Sequence, residues 1–225
     1  MAGPTEPTLP GILAIWNDCA PGREAGFEKW FQHEHLAERL AVPGFVLGRR
    51  HEAISDVKPH YFNYYLTQSP GVLKSAAYLD RLNNPTPMTR LVMSEIFRNM
   101  IRTVCRRTLR LGTIRGSVAV TARFSARADE AALEDALRNL IDDKAVACGE
   151  IWSAVSADEF PIAEEERLRG GDRRIESCLI VDTLRAADAE GIATDLAKRF
   201  PIAAVGVYRL LCEVRRPVRF APSPT

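Results

Sequence analysis

The stretch from Gly22 to Gly44 has the sequence GREAGFEKWFQHEHLAERLAVPG and crowds aromatic residues, two histidines and several carboxylates onto one predicted helix. Val42-Pro43-Gly44 ends this helix, because proline cannot continue a helix and disfavours helical geometry in the residue before it. A strand is predicted directly afterwards, from Phe45 to about Ala53. We therefore expect a helix from Arg23 to Leu40 that leads into a strand.

This predicted helix has two apolar faces. On a helical wheel the aromatic side chains share one face with two carboxylates, whereas two leucines lie nearly opposite. The aromatic face holds Phe27, Trp30, Phe31, Glu34 and Glu38, and the opposite face holds Leu36 and Leu40. One straight helix cannot bury both faces against one sheet. Either the helix kinks near His33 to His35, or its carboxylates enter the protein interior.

The hydrophobic patterns predict the order strand, helix, strand, strand, helix, strand, and then the same order again. This is the β-α-β-β-α-β order of a ferredoxin-like unit. The fold class predicted is α+β, with two tandem ferredoxin-like units at residues 11–112 and 113–216 and antiparallel sheets. Strands are expected at residues 11–17, 45–53, 60–67, 99–111, 117–124, 146–155, 175–183 and 205–214, and helices at 23–40, 69–82, 129–141 and 187–200.

A ferredoxin-like sheet has helices on one face, so its other face must be covered by something else. Two units can cover each other, and sheets joined across the halves would form an α/β-barrel-like assembly on which a homodimer could still form. A polar pocket would lie either between the sheets or between the first sheet and its helices. Residues 1–10 and 217–225 are rich in proline and are expected to be disordered tails.

The composition is that of an ordinary globular protein, with 225 residues of which 46% are apolar and 26% charged. A net charge of +1 provides no overall field that would attract nucleic acid or an anionic membrane. The five cysteines are scattered without a Cys-x-x-Cys pair, so neither a disulfide framework nor a zinc site is indicated. We find no signal peptide and no membrane-spanning run, and expect a cytoplasmic protein.

Several motifs of the first half occur together in one known family. They are Trp30-Phe31-x-x-Glu34-His35-Leu36, the Pro43-Gly44-Phe45 exit, Arg49, a tyrosine-rich third strand and Ala77-Tyr78-Leu79. With them, residues 11–111 resemble the EthD-like branch of the dimeric α/β-barrel superfamily. The resemblance implies a small protein without a cofactor. Relatives in the superfamily include isomerases, cyclases, cofactor-free monooxygenases and haem enzymes, so the fold leaves the chemistry open.

The candidate site residues lie on the predicted helix and the two strands that follow it. His35, at the edge of the aromatic face, could transfer a proton or hydrogen-bond a ligand carbonyl. Arg49 either pairs with a buried carboxylate or stabilises an anionic or enolate ligand. Glu34 could act as a base or orient His35, unless it is a surface residue. Trp30, Phe31, Tyr61 and Tyr65 are expected to line a substrate pocket, with aromatic packing as the alternative.

A series of arginines, Arg98, Arg102, Arg106 and Arg110, recurs at every fourth residue. This series is the best argument for nucleic-acid binding, but stacking aromatics are not interleaved with it, so a solvated or carboxylate-paired face is favoured. His33-Glu34-His35 is too closely spaced to put both imidazoles on one helical face, so no metal site is predicted.

Three functions remain. The leading hypothesis is a protein without a cofactor that binds or converts a small hydrophobic carbonyl or enol compound by isomerase-, cyclase- or monooxygenase-like proton transfer in a degradation pathway. The alternative is a non-catalytic structural or carrier protein whose barrel is filled by side chains. The third is haem binding through one axial histidine. The Gly-x-x-Asp-Gly signature of dye-decolorising peroxidases is absent, and all four histidines lie in the first half.

Overall fold

The protein is described from a computed structural model that covers residues 9–54, 56–142 and 146–216. Apart from Leu9 and Pro10, the tails expected at 1–10 and 217–225 lie outside the described residues. Eight strands form the core of the fold. They are β1 (Gly11–Cys19), β2 (Phe45–Ala53), β3 (Tyr61–Thr67), β4 (Phe97–Leu111), β5 (Val118–Phe124), β6 (Val146–Ala154), β7 (Ser177–Thr183) and β8 (Ala204–Arg215).

The strands form a closed barrel in the order β1-β3-β2-β8-β5-β7-β6-β4, and every neighbouring pair is antiparallel. The first four strands are adjacent in the order β4-β1-β3-β2 and the last four in the corresponding order β8-β5-β7-β6. Pairs β2–β8 and β4–β6 join the two halves. The α+β class and the barrel-like assembly are therefore confirmed, whereas the division at residue 112 into two units stays a prediction.

Seven α-helices connect the strands in the described residues. Among these residues, no helix is long and apolar enough to cross a membrane. Short 3-10 helices cover Pro70–Lys74 and Ala157–Glu159, and π-helical turns cover Phe31–His35 and Val92–Ile96. The α-helices are α1 (Glu24–Trp30), α2 (Leu36–Ala41), α3 (Ala76–Asn83), α4 (Pro87–Leu91), α5 (Glu130–Asp142), α6 (Glu164–Leu168) and α7 (Ala186–Arg199).

The helix expected at residues 69–82 is divided in two. Ser75 adopts an extended conformation, and its hydroxyl accepts a hydrogen bond of 3.3 Å from the backbone N–H of Tyr78. This is the geometry of an N-cap, which begins a new helix. The sequence patterns also missed α4 and α6, because five residues are too few to show a helical period.

The conflict between the two faces of the first helix is resolved by a π-helical turn, Phe31–His35, which joins α1 to α2. A π turn is closed by i→i+5 hydrogen bonds, so it holds one extra residue and rotates the following helix relative to the preceding one. As a result Phe27 and Trp30 before the turn, and Leu36 and Leu40 after it, are all buried. Of the two options, the irregular helix near His33 to His35 is the one observed.

The barrel interior is filled by side chains from both halves. The large side chains of this interior are all fully buried, and the rings of Trp16 and Phe62 stack with centroids 4.9 Å apart. They are Trp16, Phe62, Tyr64, Trp152 and Tyr208. Outside the barrel, α1 to α4 cover one side and form the first helix layer, while α5 and α7 cover the other side and form the second helix layer.

Candidate functional site

A small cavity lies in the first helix layer, between the helices and the outer face of β1, β3 and β4. Its volume is about 30 Å³. Since one water requires roughly 10–15 Å³ by this measure, the cavity can hold about two waters. We call it the His35 cavity. It is lined by Leu13, Ile15, Phe31, His35, Arg39, Asn63, Tyr65, Tyr78, Leu82, Met93, Phe97, Met100, Arg102, Glu165 and Arg169.

His35 is the last residue of the π-helical turn and is only 6% exposed. Its ring lies 4.2 Å from that of Trp30 and 5.5 Å from that of Phe31, measured between centroids. Its Nδ1 has no hydrogen-bond partner in the described part of the chain. Burial, reinforced by the charges of Arg39, Arg169 and Arg50, lowers the pKa of His35 well below its usual 6.5. The imidazole is therefore neutral at neutral pH, and one of its nitrogens is free to accept a proton or hydrogen bond.

Two residues of β3 add further polar atoms without partners. Asn63 and Tyr65 are two positions apart, so both face the helices. The Tyr65 hydroxyl and Asn63 Oδ1 have no hydrogen-bond partners among the described residues, although Asn63 Nδ2 donates to Asn17 Oδ1 at 3.2 Å. Burial raises the pKa of Tyr65 above its usual 10, so the phenol keeps its proton and can donate a hydrogen bond to a ligand oxygen. Each buried polar group without a partner costs about 1–3 kcal/mol.

Charged residues close one side of the cavity. Arg39, one turn after His35, forms an ion pair with Glu165 of α6, and both residues are buried. Burial opposes the charge on Arg39, but Glu165 more than compensates and raises the pKa of the guanidinium. Arg169 binds Asp172 through two hydrogen bonds of 2.9 and 2.7 Å. Glu165 and Arg169 belong to the β6–β7 connection, so the second half of the chain completes a cavity built on the first.

The predicted aromatic residues divide into two groups. Phe31 and Tyr65 line the cavity. Trp30 packs on His35 from outside it, and its indole Nε1 donates to the Thr89 hydroxyl at 3.0 Å. Tyr61 does not line it, because its ring packs against Phe27 at a centroid distance of 5.1 Å.

Glu34 is placed outside the cavity. Its carboxylate accepts hydrogen bonds from the hydroxyls of Thr86 and, at 2.9 Å, Thr89. These two threonines belong to the N-cap and first turn of α4. The expectation that Glu34 acts as a base or orients His35 is therefore corrected: it fixes α4 against the π-helical turn.

Arg49 lies on the opposite face of the sheet from His35. Inside the barrel it pairs with Asp182 at 2.7 Å and Glu213 at 3.1 Å. Of the two roles expected for Arg49, the structure shows the pairing with buried carboxylates and not an anion site beside His35. A register irregularity between Phe45 and Leu47 explains the face change, since Phe45 packs outward whereas Leu47 and the alternate residues after it point inward.

Arg50 takes the outward position on β2. It binds Glu28 at 2.6 and 2.9 Å, and its guanidinium lies over the Phe31 ring at 4.2 Å. The sequence reasoning also missed Arg39, although its position four residues after His35 on the helix could have revealed it. No signal in the sequence pointed to Glu165 or Arg169.

Comparisons with known proteins show the fold. No protein-family description matches the chain, and no curated protein is similar to it in sequence at a significant level. Among solved structures, an anthrone oxidase-like protein superposes with a TM-score of 0.62 at 10% identity, covering 97% of this chain and 98% of the other. A provisionally named monooxygenase of Fusobacterium nucleatum gives 0.56 at 7% identity, covering 93% and 95%.

A third similar structure is chlorite dismutase from Candidatus Nitrospira defluvii in complex with imidazole. Its TM-score is 0.50 at 11% identity, covering 91% of this chain and 92% of the other. At such low identities these similarities establish the fold alone. The chain therefore shares the fold of these structures, which here is a closed antiparallel barrel covered by helices.

Proposed function

We propose that the protein binds a small hydrophobic carbonyl or enol compound in the His35 cavity and catalyses proton transfer on it without a cofactor, as an EthD-like member of its superfamily. One observation carries this proposal: three polar atoms without partners belong to residues that line one largely apolar cavity. They are His35 Nδ1, the Tyr65 hydroxyl and Asn63 Oδ1. A ligand with a carbonyl and a hydroxyl group would supply the missing hydrogen bonds.

The proposed step is enolisation. A proton passes from the carbon beside the ligand carbonyl to His35, and the electrons of that C–H bond form the enolate. The Tyr65 O–H donates a hydrogen bond to the enolate oxygen, where negative charge develops. Burial and nearby arginines disfavour the imidazolium, which weakens His35 as a base in the first step but favours return of the proton to the same or another carbon. The net reaction is hydrogen exchange or isomerisation.

Access to the site requires movement, since a cavity of about 30 Å³ is smaller than an aromatic ketone. The β6–β7 connection is the part that must move in this proposal, because its Glu165 and Arg169 close the cavity. Lid motions of this kind commonly admit substrates and exclude water.

Haem does not fit the same cavity. His35 is the histidine that lines it, yet Trp30 and Phe31 pack against the imidazole and the free volume is that of about two waters. A porphyrin would have to displace most of the first helix layer. Addition of haem to the purified protein is therefore expected to give no Soret shift near 400 nm that is lost in His35→Gln.

One observation supports the alternative function, that of a non-catalytic structural or carrier protein: side chains fill the barrel interior. A carrier would bind ligands through Tyr65 and Asn63 but would not accelerate proton transfer. The experiment must therefore measure binding and exchange separately.

The probe is 4-hydroxybutyrophenone, which carries an aryl ketone with α-hydrogens and a phenol. We expect the wild-type protein to accelerate exchange of its α-hydrogens in D₂O, followed by proton NMR. His35→Gln should abolish the acceleration, whereas His33→Gln, on the exposed side of the same turn, should retain it. General acid–base residues typically contribute about 10²–10⁴-fold.

Binding is tested by calorimetry with Tyr65→Phe and a matched control, Tyr61→Phe, which removes the same atom from the same strand outside the cavity. Tyr65→Phe should weaken binding about tenfold, and Tyr61→Phe should leave it unchanged. Binding without accelerated exchange would support the carrier function. An absence of both binding and exchange would contradict the proposal.

A further inference from the structure

Arg102 lies at the junction of two cavities. It projects from the outer face of β4 between Met100 and Val104, half-buried, and lines both the His35 cavity and a neighbouring cavity of about 20 Å³. We call the second space the outer cavity. Its remaining lining residues are Leu73, Leu79, Leu82, Phe160, Pro161, Ala163, Glu165, Glu166, Arg169 and Arg174.

Among the described residues Arg102 has no carboxylate within ion-pair distance. Burial opposes the charge on Arg102, but Tyr78 and, from farther away, Asp172 and Glu165 raise the pKa of its guanidinium. Each of the other three arginines around the two cavities has an acidic partner of its own. These pairs are Arg39–Glu165, Arg169–Asp172 at 2.7 Å and Arg174–Glu166 at 3.3 Å. In contrast, the hydrogen bond from Arg102 Nη2 ends on the Tyr78 hydroxyl at 3.0 Å, and no ion pair of Arg102 is found in the described part of the chain.

Tyr78 strengthens the argument, because its hydroxyl accepts the hydrogen bond from Arg102 and keeps its own proton available. A carboxylate at this junction could therefore accept hydrogen bonds from both the guanidinium and the phenol. Hydrogen bonds between arginine and a carboxylate are short and about twice as strong as neutral ones. A partly buried arginine whose nearest carboxylates are already paired with other arginines is the arrangement that such an anion would complete.

We propose that Arg102 binds a carboxylate of the ligand, so that the substrates of the His35 cavity are hydrophobic keto or hydroxyaryl acids. This inference rests on the proposed function, since the carbonyl or enol end of the ligand occupies the His35 cavity. The acidic end of the ligand lies at Arg102. The apolar side chains of Leu73, Leu79 and Phe160 in the outer cavity contact the hydrocarbon part of the ligand. Arg102 is thus a specificity residue, and the arginine series in β4 contains one member with a ligand role.

The test compares two probes that differ at one end: 4-hydroxybutyrophenone and 4-(4-hydroxyphenyl)-4-oxobutanoate, which carries a carboxylate. We expect the wild-type protein to bind the carboxylate probe at least about tenfold more tightly, as measured by calorimetry at low salt. Arg102→Gln should remove this preference but keep the affinity for the neutral probe, and Arg102→Lys should retain part of it. Arg106→Gln, which removes an exposed arginine of the same strand outside both cavities, is the control and should keep the preference.

Each outcome has one interpretation. Equal binding of both probes by the wild-type protein overturns the role of Arg102 and leaves the proposed function standing; this measurement needs no variant that could misfold. A preference that survives Arg102→Gln also overturns it. Binding of neither probe overturns the proposed function together with this inference.

Discussion

The two helix layers cover the same barrel from opposite sides but differ in polarity, since the first encloses buried charged groups whereas the described part of the second is mainly apolar. In the second helix layer, apolar side chains of α5 and α7 pack directly on the sheet, among them Leu133, Leu137 and Leu196. Gly149 permits this close approach, since a Cβ atom there would lie 2.2 Å from Leu137 Cδ1. In the first helix layer, a π-helical turn and a connection from the other half enclose His35 and ion-paired arginines. The contrast teaches that one strand order supports either a sealed apolar layer or a polar cavity, depending on local insertions.

The largest expected effect follows from removing one member of the buried ion pair. Arg39→Met leaves the buried Glu165 carboxylate with only its longer contact to Arg169, at 3.9 Å, which should lower the free energy of unfolding by about 3–5 kcal/mol. The matched change in the second helix layer is Arg199→Met, whose partner Asp135 is exposed, and it should cost less than about 1 kcal/mol. Urea titrations measure both. Equal losses of unfolding free energy in the two variants would show that the ion pair beside the cavity stabilises the protein no more than an exposed pair, and would contradict the contrast between the layers.

The next effect concerns apolar packing. Leu133→Ala, in the fully packed second helix layer, should lower the unfolding free energy by about 3–5 kcal/mol. Leu82→Ala, at the edge of the His35 cavity, should cost only about 2 kcal/mol, because Leu82 already lacks neighbours on the cavity side. The same variant should bind 4-hydroxybutyrophenone more tightly, since the cavity is larger. A greater loss at Leu82 than at Leu133 would contradict the description of the two layers.

A smaller effect should appear in the dependence of stability on pH. Burial lowers the pKa of His35 well below 6.5, and burial together with Arg49 lowers that of His51 to about 3. Below pH 6.5 the unfolded chain therefore binds more protons than the folded protein. The contribution of these two histidines to the free energy of unfolding is fully present above pH 6.5. As the pH falls below 6.5, this free energy decreases by about 1.4 kcal/mol per histidine for each pH unit.

Denaturant titrations at pH 7.5 and 5.5 measure this slope. His35→Gln should remove about half of the histidine contribution, whereas His33→Gln should leave it unchanged, since His33 is exposed. An unchanged slope in His35→Gln would show that this imidazole is not buried in its neutral form.

The sequence predicted much of the first half because its signals are local. The conflict between the faces of Phe27 and Leu36 indicated an irregular helix, and the predicted positions of His35, Phe31 and Tyr65 agree with the cavity lining. Arg49 pairs with buried carboxylates, one of the two roles that the sequence allowed, but not beside His35: a register irregularity after Phe45 places Phe45 on the outer face and Arg49 on the inner one.

The rest depends on tertiary contacts that no local pattern records. Glu165 reaches Arg39 from a five-residue helix that is too short for a periodic signal, and Arg102 differs from Arg98 only through the residues that surround it. A homodimer, the cytoplasmic location and the lack of nucleic-acid partners stay predictions.

The central claim is that the ligand binds beside His35, and the four histidines allow a direct test. The protein is labelled with ¹⁵N in its histidine rings and titrated with 4-hydroxybutyrophenone while the ring nitrogens are observed by NMR. We predict that the His35 signals shift in a saturable manner, while those of exposed His33 and of His51 inside the barrel stay unchanged. Unchanged His35 signals at ligand saturation, or shifts only at His33 or His51, would contradict the account.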